Sequence, residues 1–436
     1  VWGGTNPATG EEVRHGANGE HVPGIDLTLS PPKSWSGLWA VADPQMQALM
    51  EEAFDRARNA AIAHVQREVP LVRRRAEEGG PPIHEPAAAI VASVFRHHTS
   101  RVTAEAAAAG VGADPQMHDH IVIANMARRS DGMLVAVDSH ALMCQTLEVD
   151  GIFLTALANE ARDLGFQVVP EAYAWEIKGF SRAKIDFWSK REHEVLGALK
   201  DFEARHGRRA TDEERRNLVT LSRGGKDVNA AGDFERWRRE EKEQTALANE
   251  RSAVARFEAE HGRPPTEAER QELREQPLLG PGEMQATEVL DVAGGQRAEA
   301  ERQGVRPSEL LLLQDRPRTP EEIARAVVGE LTKPQLNRLG REGSDRLTES
   351  SAVFDELQLR KLVAHEMRQH QVDPAHYAEI LEHVHQAPEL VPIPGGRHWT
   401  TTRHLETEKF VLDAAATRHR TGGSRIPPRA RGAGDR

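Results

Sequence analysis

"DPQMHDHIVIAN", Asp114 to Asn125, places His118 and His120 one residue apart at the head of a run of β-forming residues. Side chains alternate between faces along a strand, so both imidazoles point the same way. That is the geometry of two ligands reaching for one ion. A third histidine, His97, lies upstream in "AAAIVASVFRHHTSR", Ala87 to Arg101, where Val91, Ser93, Phe95 and His97 share a strand face and His98 points to the other. The loop between the two runs is short enough to make them neighbours, and antiparallel pairing sets His97 opposite His118 or His120. Three neutral imidazoles leave coordination positions open, as a catalytic rather than a structural site does. Histidine-rich strands also occur as plain surface, and spacing alone leaves both readings open.

The chain outward from this stretch alternates strands and helices. "IDLTL", from Ile25, reads as a strand stopped by Pro31-Pro32, and a long amphipathic helix follows Asp43-Pro44. Asp131-Gly132 marks a tight turn into a short strand. "LMCQTLEVDGIFLTALANEARDLG" reads as one helix ended by Gly165, and "FQVV" with "YAWEIKG" reads as a hairpin. This order predicts an α+β fold with an antiparallel sheet and flanking helices, followed by a mostly helical C-terminal region. From about residue 186 the chain turns helical and highly charged, and it holds an internal echo: "FEARHGRRATDEERRNL" from Phe202 is repeated as "FEAEHGRPPTEAERQEL" from Phe257. Each copy reads as a helix stopped by Gly207 or Gly262, then a capping box, Thr211 with Glu214 and Thr266 with Glu269. The predicted organisation is a core over residues 1–200, a charged helical extension over 201–275, a connector over 276–345, a small helical region over 346–420 and a disordered basic tail over 421–436.

Composition narrows the function classes. With 57 Lys and Arg against 68 Asp and Glu, the chain carries a formal charge of −11, so any nucleic-acid contact has to come from local patches. The single cysteine, Cys144, rules out an internal disulfide and fits a reducing cytoplasm. No apolar run is long enough to span a bilayer, and membrane insertion is not expected. Of the 20 histidines, two other clusters resemble ligand pairs. In "HEMRQH" the histidines are five apart, not the four that one helical face requires. His383 and His385 fall in the helical context "YAEILEHVHQ", where a spacing of two puts the rings on nearly opposite sides.

"GIDLTLSPPKSWSGLWAV", "FRHHTSR" and "DPQMHDHIVIANMARRSDG" occur in this order, followed by "GFSRAKIDFWSKREHEV" from Gly179. Together they resemble the relaxase domain of MobF-type conjugative relaxases, in the HUH endonuclease superfamily, over roughly residues 5–245 and more weakly 345–420. The resemblance implies an HUH-type core in which His97, His118 and His120 hold a divalent ion, Mg, Mn or Zn. It implies that Asp26 stands beside that ion, orienting a ligand histidine or assisting the nucleophile. Lys33, Ser34 and Arg101 fall in the matching motifs as candidate contacts to the DNA backbone. The implied activity is nicking and transfer of single-stranded DNA at a plasmid transfer origin through a phosphotyrosine, with accessory relaxosome and type IV coupling proteins as partners.

Two departures follow. The chain has two tyrosines, Tyr173 and Tyr377, and neither occupies the N-terminal position of the family's nucleophile. With Val1 as its first residue, the chain is expected to be a fragment lacking the first strand and the nucleophile, inactive for nicking by itself; the alternative is a degenerate, non-catalytic relaxase-like DNA-binding protein. An unrelated three-histidine metal hydrolase is the third reading. Asp119 stands where the family usually has Thr and, facing away from the ion, is expected to matter little. "LTESSAVFDELQLRKLV" and "GGRHWTTTRHLETEKFVLDAAA" resemble the segment ahead of a relaxase-linked helicase, but "RGGKDVN" is the nearest approach to a phosphate-binding loop, so no ATPase is expected.

Overall fold

Alternation along Gly24–Leu29 builds the first strand, β1: Leu27 and Leu29 are buried, while Asp26 and Thr28 are exposed on the other face. Pro31 and Pro32 end it by removing two backbone donors, and α1 (Lys33–Val41) starts directly after them. Asp43 then caps α2 (Pro44–Glu68), its carboxylate accepting from the Met46 N–H at 2.8 Å, with Pro44 pre-set for the first turn. Met46, Met50, Ala53, Phe54, Ala57, Ala61 and Val65 form the buried stripe of α2. Their three- and four-residue spacing is that of an amphipathic helix laid on a sheet. The computed structural model describes residues 10, 22–74, 82–101, 112–171, 174–221, 233–274, 286–303, 306–307, 318–332, 353–370, 372–393, 398–406 and 409.

A small hairpin, β2 (Val72–Arg74) with β3 (Ile83–Glu85), precedes β4 (Ala89–Thr99) and β5 (Pro115–Arg128). The main sheet runs β1–β5–β4, all antiparallel, with β6 (Leu134–Val135) paired to the end of β5. Gly132, at φ +88°, turns β5 into β6, as Asp131-Gly132 predicts. Register sets the site: Thr28 and Phe95 both face His120 across β5, Asp26 and Ser93 both face Val122, and His97 faces His118. The pairing shifts between His97 and Thr99, a bulge beside the histidines. One face of the sheet is dry, with Leu27, Leu29, Met117, Ile121 and Ile123 in the same core as α1 and α2. The histidine face is open.

The helix predicted to run up to Gly165 is two, α3 (Ser139–Cys144) and α4 (Thr146–Asp163), interrupted at Gln145. α4 lies against α2, with Phe54 and Phe153 edge to face at 5.1 Å. The expected hairpin follows as β7 (Val168–Pro170) with β8 (Trp175–Ile177), then α5 (Arg182–Phe187), α6 (Lys190–His206), α7 (Asp212–Leu221), α8 (Asp233–His261), α9 (Glu267–Arg274) and α10 (Ala286–Gln303). The repeat forms twice over. Gly207 and Gly262 adopt left-handed φ of +64° and +67°, and both capping boxes close, with Thr211 and Thr266 each exchanging hydrogen bonds with its Glu three residues on. In each copy a histidine stacks on a phenylalanine, Phe202 with His206 and Phe257 with His261.

Packing divides the chain differently from composition. One compact unit comprises Val1–Thr319 with Ala364–Tyr377, and a second comprises Pro320–Val363 with Ala378–Arg436. The charged extension over 201–275 is not separate from the core. Trp237 of α8 is fully buried, 6.4 Å from the Trp39 ring, and its Nε1–H donates to the Ala113 carbonyl at 3.0 Å. The connector over 276–345 likewise contains α10, whose Val289 and Ala293 join the same core. Gly165, at φ +88°, approaches so closely that a Cβ there would lie 2.4 Å from the Ala293 carbonyl oxygen. A few apolar residues on an otherwise charged helix are enough to dock it, and average polarity hides them.

The second unit contains α11 (Pro320–Thr332), the start of α12 (Glu356–Gln369), most of α13 (Tyr377–His385) and a three-stranded antiparallel sheet in the order β10 (Leu390–Pro392), β11 (His398–Thr401), β9 (Phe354–Asp355). The small helical region expected over 346–420 thus carries, beside its helices, a short three-stranded sheet. Ile323, Val327, Phe354, Leu359, Ile380 and Val384 are buried in it. The tail over 421–436 lies outside the described residues.

Candidate functional site

His97, His118 and His120 meet on the open face. Their ring centroids are 5.2 Å apart for His97 and His118, 5.0 Å for His97 and His120, and 5.2 Å for His118 and His120. The register explains the triangle: His118 and His120 are same-face neighbours on β5, and β4 brings His97 alongside. Among the described residues no other group of three or more His, Cys, Asp or Glu side chains converges in this way.

Hydrogen bonds select the tautomers. Asp26 Oδ2 lies 2.7 Å from His120 Nδ1, so the ring donates there through Nδ1–H and turns its Nε2 lone pair outward. Thr28 Oγ1 stands 3.2 Å from the same nitrogen. His118 Nδ1 donates to its neighbour's carbonyl, Gln116 O, at 2.9 Å, which again frees Nε2. Burial holds the His118 pKa below the ordinary imidazole value against the pull of the Gln116 carbonyl, and the rings of His120 and His97 push it the same way. A neutral ring with a free Nε2 is the form that binds a metal.

The donor set fits a divalent cation. One nitrogen from each of His97, His118 and His120 lies within 4.8 Å of the others. Ligation at about 2.1 Å draws such nitrogens to roughly 3.3 Å, a small inward rotation of each ring. Three neutral nitrogens leave the ion most of its charge and open positions for oxygen ligands.

The reverse face anchors the ligand strand. Asp119, between the two β5 histidines, is fully buried and accepts from Arg96 at 2.8 Å and from Arg58 of α2 at 2.9 Å. Burial pushes its carboxyl up, but those hydrogen bonds and the two positive charges outweigh burial and hold its pKa below the usual carboxylate range. Asp55 pairs with both guanidiniums as well. Asp119 therefore faces away from the histidines, as expected, yet it is a buried ionic hub joining β5 to β4 and α2. His98 shares that side, stacked on Trp39 at 4.5 Å.

The other sequence candidates separate. Lys33 is half-buried, its Nζ donating to Gln116 Oε1 at 2.6 Å and to the Pro115 carbonyl at 3.2 Å, one side chain removed from His118. Burial lowers its pKa to about 8 despite the nearby carboxylates of Asp114 and Glu176. Ser34 is fully buried; its Oγ accepts from the Ile177 N–H at 2.9 Å and its own N–H donates to Glu176 at 3.0 Å, so it ties α1 to the β7–β8 hairpin. Arg101 is exposed, four residues beyond His97. Tyr377 is buried, its ring packed edge-on against His64 of α2 at 4.8 Å, and Tyr173 lies outside the described residues. His365 pairs with Arg368, while His383 and His385 turn to the Glu379 carbonyl and to Glu356. Sequence reasoning missed Thr28 and Gln116. Asp26 came from its motif; the period of two along the same strand would have added Thr28, whereas nothing in the sequence marks a carbonyl acceptor such as Gln116 O.

The model of the TrwC relaxase family matches residues 1–244. The multifunctional conjugation protein TraI of Escherichia coli is 26% identical over 245 residues, covering 51% of this chain but 13% of TraI. This chain thus spans only a small part of the curated relative it matches. Among solved structures, a copper-bound complex of the conjugative relaxase TrwC with oriT DNA aligns at 25% identity over 56% of this chain and 79% of that one, with a TM-score of 0.47. A metal-free TrwC complex with oriT DNA aligns at 26% identity over 56% and 81% of the two chains, also with a TM-score of 0.47.

Proposed function

The chain belongs to the TrwC relaxase family, and from that premise we propose that its first compact unit binds single-stranded DNA at a nick site and aligns one phosphate for metal-assisted strand cleavage and transfer. The observation that carries this reading is the triangle of His97, His118 and His120 with Asp26 on His120. His97, His118 and His120 would hold a divalent cation, which when bound supplies Lewis-acid polarisation of the phosphate and neutralises developing charge. Asp26 keeps the His120 ring in its ligating tautomer and restrains its rotation; Gln116 O does the same for His118. Lys33 and Arg101 supply positive charge at the C-terminal end of β4 and the start of β5, where a phosphate backbone would run. Ser34 contributes through the framework, since its hydroxyl is buried and engaged.

The attacking group is the step these residues do not supply. The family resemblance implies a tyrosine, but Tyr377 is packed against α2 on the far side of the sheet from the histidines. Its burial favours a second reading of the 436-residue chain as a metal- and DNA-binding relaxase domain that makes no covalent phosphotyrosine by itself. Calorimetry with Mn²⁺ tests the shared part of both readings. The chain should bind one ion, and a His118→Ala, His120→Ala variant should lose that binding. Equal, weak binding by both proteins would overturn the metal site. With binding established, incubation with single-stranded DNA and denaturing electrophoresis separates the readings by the presence or absence of a covalent adduct.

A further inference from the structure

Phe95 is a large apolar side chain that the fold leaves in solvent, 54% exposed on β4. Isolated exposed apolar residues are ordinary on protein surfaces, so exposure alone means little. Its position is what matters. Phe95 faces His120 across the β4–β5 pair, in the same row as Thr28, and lies two residues from His97 on the same strand face. Directly opposed residues on a sheet have Cβ atoms about 4.5–5.5 Å apart, so Phe95 stands on the strand position that flanks the histidine triangle. Beyond it the open face continues through Ser93 to Val91, which is 46% exposed. The other phenylalanines near the sheet, Phe54 and Phe153, are buried on the opposite side.

We propose that Phe95 is the stacking platform for the base next to the phosphate held at the histidines. The inference rests on the reading of that site as one for single-stranded DNA. A nucleotide whose phosphate sits on the imidazole nitrogens has its neighbouring base one sugar away, over the flank of the site. On one flank of His120 stand Thr28 and Asp26, both polar; on the other stands the exposed Phe95. An unstacked base offers a π-face to such a ring whatever its identity, so the platform positions the strand without reading its sequence. Phe95 is accordingly a positioning residue for the phosphate and no part of the metal ligand set.

The test uses the full chain, fluorescein-labelled (dT)20 and anisotropy at low salt. Loss of one base–aromatic stack should weaken binding by Phe95→Ala about 5- to 100-fold. Phe95→Tyr should restore it and Phe95→Leu should not, while Mn²⁺ affinity by calorimetry stays unchanged in all three. If wild type binds (dT)20 and Phe95→Ala binds equally well, the platform is wrong and the DNA site survives. If Phe95→Leu matches wild type, the position is merely apolar and the stacking assignment falls. If Mn²⁺ binding is lost together with DNA binding, Phe95 acts on the fold of the site and the platform is overturned. A wild-type chain with no affinity for (dT)20 would sink both this inference and the reading beneath it.

Discussion

At the scale of single residues, the histidine cluster depends on the partners of each ring. Asp26 is half exposed, yet at 2.7 Å it is positioned to hold the His120 Nδ1 proton. Asp26→Asn removes the charge and retains an acceptor, and loss of such an outer partner typically costs 10- to 100-fold in metal affinity. Calorimetry with Mn²⁺ should show a loss of about that size, and an unchanged affinity would leave Asp26 without a role in ligation. Lys33 gives a pH dependence whose sign follows from its environment. Its folded pKa of about 8 lies below the unfolded value of about 10.4. The folded state therefore releases this proton first, and its contribution to stability rises between about pH 8 and 10.4. For DNA the direction reverses: affinity for single-stranded DNA should fall as pH passes 8, because the Lys33 charge disappears. Lys33→Arg should abolish that step; an affinity that is flat between pH 7 and 9 in the wild type would remove Lys33 from the contact.

At the scale of elements, β5 carries the site on one face and its anchorage on the other. Two ligands at a spacing of two require a strand, and a strand leaves the residue between them pointing into the core. Here that residue is Asp119, a charge that burial alone would penalise, held by Arg96 and Arg58. Removing one member of a buried ionic network strands the others, at a cost of about 3 kcal/mol, the lower end because Asp55 still faces both guanidiniums. Urea unfolding of Asp119→Asn should register that loss as a lower midpoint, while the Mn²⁺ affinity of the folded protein stays within a few-fold of wild type. Wild-type stability in the variant would show the network to be dispensable. The period of two made the histidine face and the orientation of Asp119 legible in the sequence, because alternation is a local property of the backbone. Its counterions were not legible: Arg58 is 61 residues away on a helix.

At the scale of the whole molecule, the charged helices after the sheet belong to the body of the first unit. Trp237 packs tilted against Trp39 and edge-on against Phe234 and donates to the Ala113 carbonyl, so Trp237→Ala should destabilise that unit by about 3–5 kcal/mol. Thermal unfolding would reveal it, and a melting temperature equal to wild type would restore the view of α8 as an appendage. By itself the sequence determined the strand carrying the histidines, the third histidine, the acidic partner, the capping boxes and the family. All of these are written in short-range periodicity or in ordered motifs. Only the tertiary structure decided that Ser34 is buried, that Asp119 is a hub, that Phe95 stands in solvent beside His120, and that α8 and α10 dock on the core. Those outcomes depend on which distant surfaces meet, and burial is a property of that meeting.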